Sequence, residues 1–297
     1  MKDLQDKVAF VTGGASGVGL GMVDVFLRAG LRVAVADVRQ DHLDAAAERL
    51  RAYEGRTDYI RLDVTDRAAM AAAADRVERV FGKVHVVCNN AGVSSWLPMD
   101  QASYADWDWI LGVNLGGVVN GIVTFLPRLL SHGEGGHIVN TSSMAGLTPL
   151  PGGGGIYCAS KFAVRGLSDS LRLTLGPKGI GVTTLCPGLT HSNIRESEKV
   201  RPPALATRTA AAAPQSSIAD IGMDPVELGE AVLRAIRRND AYVLAHAENR
   251  ASAQAEFDEV MSYFASEPVT DADRLRAMAG YETMIAEAKA MQQRAAD

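Results

Sequence analysis

Tyr157 and Lys161 stand four residues apart in Tyr157-Cys158-Ala159-Ser160-Lys161, a stretch that reads as the start of a helix. Positions i and i+4 share a helix face, so the phenol and the ammonium become neighbours. A phenol titrates near pH 10, and serving as a base at neutral pH requires a fall of about 3 units, or about 4 kcal/mol. A lysine cation close by, with the cationic ring of a bound cofactor, can supply energy of that order in a desolvated cleft. Taken alone, a Tyr–Lys pair at this spacing is more simply a surface contact. Here other groups accompany it. Ser142 and Ser143 end an apolar run just upstream, where a hydroxyl can donate to a substrate oxygen. Asn89-Asn90-Ala91-Gly92 ends another run and would line the same edge of a sheet. Asn114 lies inside a long helical pattern, a place unfavourable to asparagine on propensity, and its plain reading is a satisfied core amide.

A second constellation lies near the N-terminus. Thr12-Gly13-Gly14-Ala15-Ser16-Gly17-Val18-Gly19 falls between a strand pattern and a helix pattern. Glycines there allow a tight turn and let the backbone approach a pyrophosphate, while the helix N-terminus offers unpaired N–H groups and the positive end of its dipole. The spacing is GxxxGxG rather than GxGxxG, and by itself it is equally a tight strand-to-helix loop. Asp37 ends the second strand, 18 residues past Gly19. A carboxylate at that place accepts hydrogen bonds from the adenosine ribose hydroxyls and repels a 2′-phosphate, which favours NAD over NADP. Arg39 stands close enough to pair with such a phosphate, or is a solvated charge at a helix start. Asp63, after the third strand, either holds the adenine amino group or caps the next turn.

The elements that must position these residues follow from periodicity. Apolar runs at Val8–Val11, Arg32–Ala36, Tyr59–Leu62, Val84–Cys88, His137–Thr141, Val182–Cys186 and Tyr242–Ala245 read as strands. Helical patterns at Gly17–Ala29, Asp41–Ala52, Ala68–Phe81, Tyr104–Leu130, Ile156–Leu175 and Glu227–Arg237 alternate with them. Pro127 marks a kink or a stop in the fourth of these helices. Strand–helix alternation of this kind gives βαβ units, so the fold class is α/β: a single doubly wound Rossmann domain with a parallel sheet of about seven strands. That domain covers residues 1–247. Two regions break the rhythm. Residues 188–222 form a long Pro- and Ala-containing segment that reads as a substrate lid loop. Residues 248–297 form a helical C-terminal extension with one stripe of Phe257, Val260, Met261 and Phe264 and another of Leu275, Met278, Met284 and Ile285. The plain reading of each stripe is packing against the parent domain or a second subunit.

Taken together, TGGASGVG, Asp63, NNAG, Asn114, Ser143, YCASK and Pro187-Gly188 resemble the short-chain dehydrogenase/reductase family, in the family's order and over about residues 5–247. The resemblance implies a catalytic tetrad of Asn114, Ser143, Tyr157 and Lys161. In it Tyr157 is the general acid/base, Ser143 orients the carbinol or carbonyl oxygen, Lys161 binds the nicotinamide ribose and depresses the Tyr157 pKa, and Asn114 holds a water. It also implies cofactor contacts at Gly13, Ser16, Gly17, Val18, Gly19, Asp37, Asp63, Val64, Asn90, Ala91, Gly92, Tyr157, Lys161, Pro187 and Gly188, with Ser192 standing where the family often has Thr. Ser143 and Tyr157 are 14 residues apart, one more than the family pattern, and the extra residue falls in Gly152–Gly155, a loop expected to border the substrate. A narrower resemblance, in MKDLQDKVAFVTGGASGVGLG, YADWDWILGVNLGGVVNGIVTF and SNIRESEKVRP, is to bacterial NAD-dependent Cα-dehydrogenases of lignin-derived β-aryl ethers. It implies oxidation of a benzylic secondary alcohol to an aryl ketone, with Trp96, Leu97, Met99, Leu147, Leu150 and Ile194 as candidate pocket residues. The alternatives are an NADPH-dependent carbonyl reductase, a dehydrogenase of another bulky secondary alcohol such as a steroid, and a non-catalytic cofactor-sensing protein. Family members commonly pair through two long helices, so a homodimer or homotetramer is expected.

Composition narrows the classes further. The 297 residues carry a formal charge of −5, with 47% hydrophobic, 22% charged and 6% aromatic residues. That balance builds a core and argues against disorder, a nucleic-acid surface or an anionic-membrane surface. Cys88, Cys158 and Cys186 are odd in number and far apart, and the six histidines lack metal-ligand spacing, so neither a disulfide framework nor a metal site is expected. The N-terminus lacks an apolar signal core and no stretch reads as a membrane span, so the expected location is cytoplasmic.

Overall fold

Val8 and Phe10 turn to one face of the first strand and Ala9 and Val11 to the other, and all four are buried. A strand apolar on both faces must lie inside a sheet covered on both sides. A computed structural model describes residues 1–207 and 221–294. In it β1 (Val8–Thr12), β2 (Arg32–Asp37), β3 (Thr57–Arg61), β4 (Val86–Asn89), β5 (Gly136–Thr141), β6 (Ile180–Leu185) and β7 (Tyr242–Val243) form a seven-stranded sheet. The order is β3-β2-β1-β4-β5-β6-β7, with every pairing parallel. This is the doubly wound Rossmann arrangement expected from the alternation.

The helices are α1 (Gly17–Arg28), α2 (Gln40–Arg49), α3 (Arg67–Phe81), α4 (Tyr104–Leu111), α5 (Gly117–Ser131), α6 (Gly155–Leu175) and α7 (Pro225–Arg238). Met22, Phe26, Leu43, Leu228 and Val232 bring α1, α2 and α7 onto the Ala9 and Val11 face. Met70, Val77, Phe125, Leu129 and Leu175 bring α3, α5 and α6 onto the Val8 and Phe10 face. The order of winding reverses between β1 and β4: β2 and β3 are added on one side of β1 and β4 to β7 on the other. The loops after these two strands therefore diverge and leave a crevice at their carboxyl ends.

Three expectations are revised. The Tyr104–Leu130 helix is divided by a π-helical segment, Gly112–Gly116, with Asn114 at its centre. Such bulges concentrate at functional sites. Pro127 does not stop α5, which runs on to Ser131. The carbonyl that loses its partner belongs to Val123, on the solvent side of the helix with 68% exposure, where water can replace the bond. The run Tyr104–Ser131 contains an 18-residue window of mean hydropathy 1.7 and is long and apolar enough to cross a membrane by length and composition. Val118, Ile122, Phe125 and Leu129 are buried in the core, which accounts for that apolarity.

The extension forms α8 (Arg250–Ser262) and α9 (Ala272–Arg294). Packing on the parent domain is limited. Phe257 lies under the Arg165 guanidinium at 5.3 Å and Ile285 is half-buried. Val260, Met261, Phe264, Leu275, Met278 and Met284 are exposed. Of the long segment 188–222, the described part carries two 3₁₀ stretches, Ile194–Val200 and Pro203–Leu205, and residues 208–220 lie outside the described residues.

The Phe10 and Phe125 rings meet at 4.5 Å between centroids, both fully buried. Phe125→Ala is expected to cost about 3–5 kcal/mol of unfolding free energy, read as a lowered midpoint in guanidinium titration at unchanged slope. A loss near zero would mean this contact does not hold α5 to the sheet.

Candidate active site

At the crevice, Thr12 and Asn90 join the ends of β1 and β4. The Thr12 hydroxyl accepts from the backbone N–H of Asn90 at 2.9 Å and of Ala91 at 3.1 Å. Asn90 Nδ2 returns bonds to the carbonyls of Thr12 at 3.1 Å and Gly13 at 3.3 Å, and its Oδ1 accepts from the Thr141 hydroxyl at 3.2 Å. Asn90 thus braces the glycine turn from β4 and β5. Gly13 and Gly17 take φ of +60° and +48°, which a Cβ disfavours. A Cβ on Gly19 would sit 2.0 Å from the Gly13 carbonyl oxygen. Ser16, at the N-cap of α1, makes no side-chain capping bond, so the first amides of the helix lack a side-chain partner there.

Asp37 lies at the end of β2, 7% exposed, and accepts from the backbone N–H of Arg39 at 3.1 Å and of Ala15 at 3.4 Å. Burial pushes its carboxyl above the ordinary range, against those two hydrogen bonds. Asp63 accepts from the Thr65 N–H at 2.9 Å and the Thr65 hydroxyl at 2.8 Å, the turn-capping arrangement. Both aspartates line a cleft of about 460 Å³ together with Gly13, Ser16, Gly17 and Val18, and also Val64, Asn90, Ala91, Gly92, Pro187, Gly188 and Ser192.

The same cleft holds Ser143, Tyr157 and Lys161. Lys161 Nζ donates to the Thr141 carbonyl at 2.9 Å and lies 5.5 Å from the centre of the Tyr157 ring. Ser143 Oγ accepts from the Ala145 N–H at 3.1 Å and reaches the Pro187 carbonyl at 3.4 Å. Asn114 stands behind this group rather than on the cleft wall. Its Oδ1 accepts from the Val93 N–H at 2.8 Å, and its Nδ2 donates to the Val93 carbonyl and to Ser160 Oγ, both at 3.0 Å. Ser160 in turn donates to the Tyr157 carbonyl at 2.7 Å. A Cβ on Gly92 would sit 3.3 Å from Asn114 Oδ1 and 3.4 Å from Lys161 Nζ, so the absence of a side chain there lets the two converge.

Burial qualifies the expectation for the base. In the protein alone the Tyr157 phenol lies above its ordinary value. Burial pushes it up to about 12, with the neighbouring Ser143 hydroxyl opposing the rise, and burial pulls Lys161 down to about 8. In a buried cleft, loss of solvation outweighs a cation whose hydrogen bond points at the Thr141 carbonyl. The protein alone therefore holds Tyr157 as a neutral proton donor.

The apolar end of the cleft is also built differently from expectation. Val93, Trp109, Val113, Ile194, Val200 and Leu205 wall it. Trp96, Leu97, Met99, Leu147 and Leu150 do not. The Leu97 N–H bonds the Gly153 carbonyl at 3.1 Å, and a Cβ on Gly155 would meet the Met99 sulfur at 2.4 Å. The glycine loop at Gly152–Gly155 packs on residues 96–99 instead of facing the cleft.

With this geometry in place, the family is decided by residues 7–202, which match the model of the short chain dehydrogenases. The chain belongs to that family. Over 287 residues, 94% of each chain, it is 39% identical to the C alpha-dehydrogenase of Sphingobium sp. strain SYK-6. The apo structure of LigO from that strain superposes with a TM-score of 0.76 at 42% identity, covering 96% of this chain and 98% of that one. A short chain dehydrogenase/reductase of Burkholderia phymatum, solved in complex with NAD, superposes with a TM-score of 0.84 at 33% identity, covering 91% and 100%. The enzyme is an oxidoreductase and its cofactor is a nicotinamide dinucleotide. The site fits one: a glycine turn with no room for side chains, a helix N-terminus without a side-chain cap, and a buried carboxylate at the end of β2.

Several residues of the site carry no signal in sequence spacing. Arg201 joins the loop after β6 to α4 through an ion pair with the buried Asp106, and its guanidinium stacks 4.6 Å from the Trp109 ring. His246 Nδ1 accepts from the Gly188 N–H at 3.0 Å and its Nε2 bonds the Leu189 carbonyl at 3.1 Å, fixing the turn after Pro187. Each pairing spans tens of residues, and only the fold brings the partners together. The turn itself is testable. Gly19→Ala is expected to weaken cofactor binding at least about tenfold, measured by calorimetric titration on protein whose circular dichroism is unchanged. Equal affinity would mean the turn does not hold the dinucleotide.

Proposed function

We propose that this enzyme is an NAD-dependent dehydrogenase that oxidises a bulky aryl secondary alcohol to the ketone, the Cα-hydroxyl of a β-aryl ether being the substrate the similarity favours. The observation that carries the reading is the apolar end of the cleft, walled by Trp109, Val113 and Leu205, in the same cavity as Ser143 and Tyr157. Asp37, buried at the end of β2, supports NAD. Likeness to C alpha-dehydrogenase over 94% of both chains supports the substrate class.

In this reading the tetrad is Asn114, Ser143, Tyr157 and Lys161. The Ser143 hydroxyl donates to the carbinol oxygen and fixes its position. Tyr157 takes the carbinol proton at its phenol oxygen during oxidation and returns it during reduction. Lys161 places its charge beside Tyr157 and favours the phenolate. Asn114 holds the start of α6 through Ser160, and with it the height of Tyr157. A nicotinamide dinucleotide held by the glycine turn, Asp37 and the Pro187–Gly188 turn would supply the hydride acceptor. The apolar wall excludes water from that exchange.

The first test is initial-rate NADH formation from an α-hydroxy β-aryl ether dimer, set against steroids and other bulky secondary alcohols. Turnover of the dimer with NAD, reduced about 10²–10⁴-fold in Tyr157→Phe, is the expected outcome. Turnover of a steroid without the dimer would replace the substrate class and keep the chemistry. The pH profile tests the base. Oxidation needs the phenolate, which is scarce at neutral pH when the group titrates at about 12. The oxidation rate is therefore expected to climb from about pH 6 to about pH 9, while ketone reduction, which uses the protonated phenol, stays level across about pH 6 to 8. An oxidation profile that is flat over that range removes Tyr157 as the titrating base.

A further inference from the structure

The loop after β6 reaches across the mouth of the cofactor cleft and holds Arg39, whose backbone N–H bonds Asp37. The Arg39 guanidinium offers two edges. Its Nε and Nη2 grip both carboxylate oxygens of Asp41, the first at 3.0 Å. Its Nη1 donates to Glu196 Oε2 at 2.9 Å, across 157 residues of sequence. A guanidinium binds a phosphate through these same forks. A second contact, between Asn193 Nδ2 and His42 Nε2 at 3.4 Å, runs alongside. Beneath them the loop rests on the glycine turn, since a Cβ on Gly17 would lie 2.8 Å from Ser192 Cβ. Arg39, His42, Asn193 and Glu196 all line the cleft that holds Asp37.

We infer that Glu196 is a specificity-determining residue for the cofactor: by engaging Arg39 it denies that arginine to an adenosine 2′-phosphate, so the loop after β6 itself enforces the choice of NAD. This rests on the NAD reading above. A 2′-phosphate entering beside Asp37 meets three carboxylates, Asp37, Asp41 and Glu196, around a guanidinium already engaged by two of them. Like charges in a partly buried site repel strongly, and the arginine beside Asp37 is committed to offsetting the carboxylates already there. Arg39 holds the Asp41 carboxyl below its ordinary range, and Lys199 first and Arg39 second do the same at Glu196. Asp37 alone cannot give this result. With its Nη1 edge free, Arg39 would give a phosphate one charge-assisted hydrogen bond in exchange for one unfavourable carboxylate. Glu196 removes that exchange without touching the ribose.

The test uses the full-length protein and the dissociation constants of NAD⁺ and NADP⁺, measured by calorimetric titration in the absence of substrate. Wild type is compared with Glu196→Gln and with the double variant Glu196→Gln, Arg39→Ala. Glu196 is a half-exposed loop residue, so its amide variant leaves the core intact. The ratio of the NADP⁺ constant to the NAD⁺ constant is expected to fall at least about fivefold in Glu196→Gln, as one freed charge-assisted hydrogen bond requires. Adding Arg39→Ala is expected to restore the ratio. A ratio unchanged by Glu196→Gln, with wild type preferring NAD⁺, overturns the inference and leaves the NAD reading standing. Wild type that prefers NADP⁺ overturns both. A fall that survives Arg39→Ala shows that Glu196 acts by its own charge and overturns the role given to Arg39.

Discussion

The hydrogen bonds between Thr12 and Asn90 hold together the ends of the two strands from which everything at this site departs. β1 and β4 are neighbours in the sheet, but their following loops run to opposite faces. A crevice opens there by topology, and an open crevice leaves backbone donors and acceptors unsatisfied. Thr12 absorbs two of the donors and the Asn90 amide absorbs two carbonyls. With the strand ends fixed, the glycine turn has a defined curvature and α1 starts at a defined height. Asn90 extends the tie to Thr141, whose own carbonyl receives the Lys161 ammonium. The dinucleotide half and the reacting half of the cleft therefore share one hydrogen-bonded frame.

That frame sets the chemistry by burial. Tyr157 and Lys161 are both deep in the cleft, and desolvation moves them in opposite directions, the phenol upward and the ammonium downward. The two pKa values, close together in water, move apart, which holds the phenol protonated and makes the ammonium readier to give up its proton. Asn114 contributes from behind. Its place in a π-helical segment aims its amide at Val93 and Ser160 in place of the usual helix lattice, so α4–α5, the β4 loop and the start of α6 meet at one side chain.

The loop after β6 is held from three sides. His246 fastens the turn after Pro187, Arg201 docks on Asp106 and Trp109, and Glu196 grips Arg39. The Arg201 tie is the most buried of these, with side chains 5% and 0% exposed, and it also shapes the apolar wall that Trp109 presents. These anchors tie one loop to both ends of the cleft.

Much of this was legible in the sequence. Strand and helix positions follow from apolar period and length, and the order of glycine turn, Asp37, NNAG, Ser143 and Tyr157–Lys161 follows from residue type. These are local properties, fixed by neighbours within about five residues, and the strand ends in a parallel sheet must gather at one edge. What only the tertiary structure decided are relations between distant residues. The pairing of Arg39 with Glu196 turns an apparent phosphate ligand into an occupied one. The packing of Gly153 and Gly155 on residues 96–99 moves that loop off the cleft and leaves Trp109, Val200 and Leu205 as its wall. Burial raises the Tyr157 pKa in the protein alone, an effect that its spacing from Lys161 does not report. Spacing reports which groups are close along the chain, whereas solvation depends on everything the fold places around them.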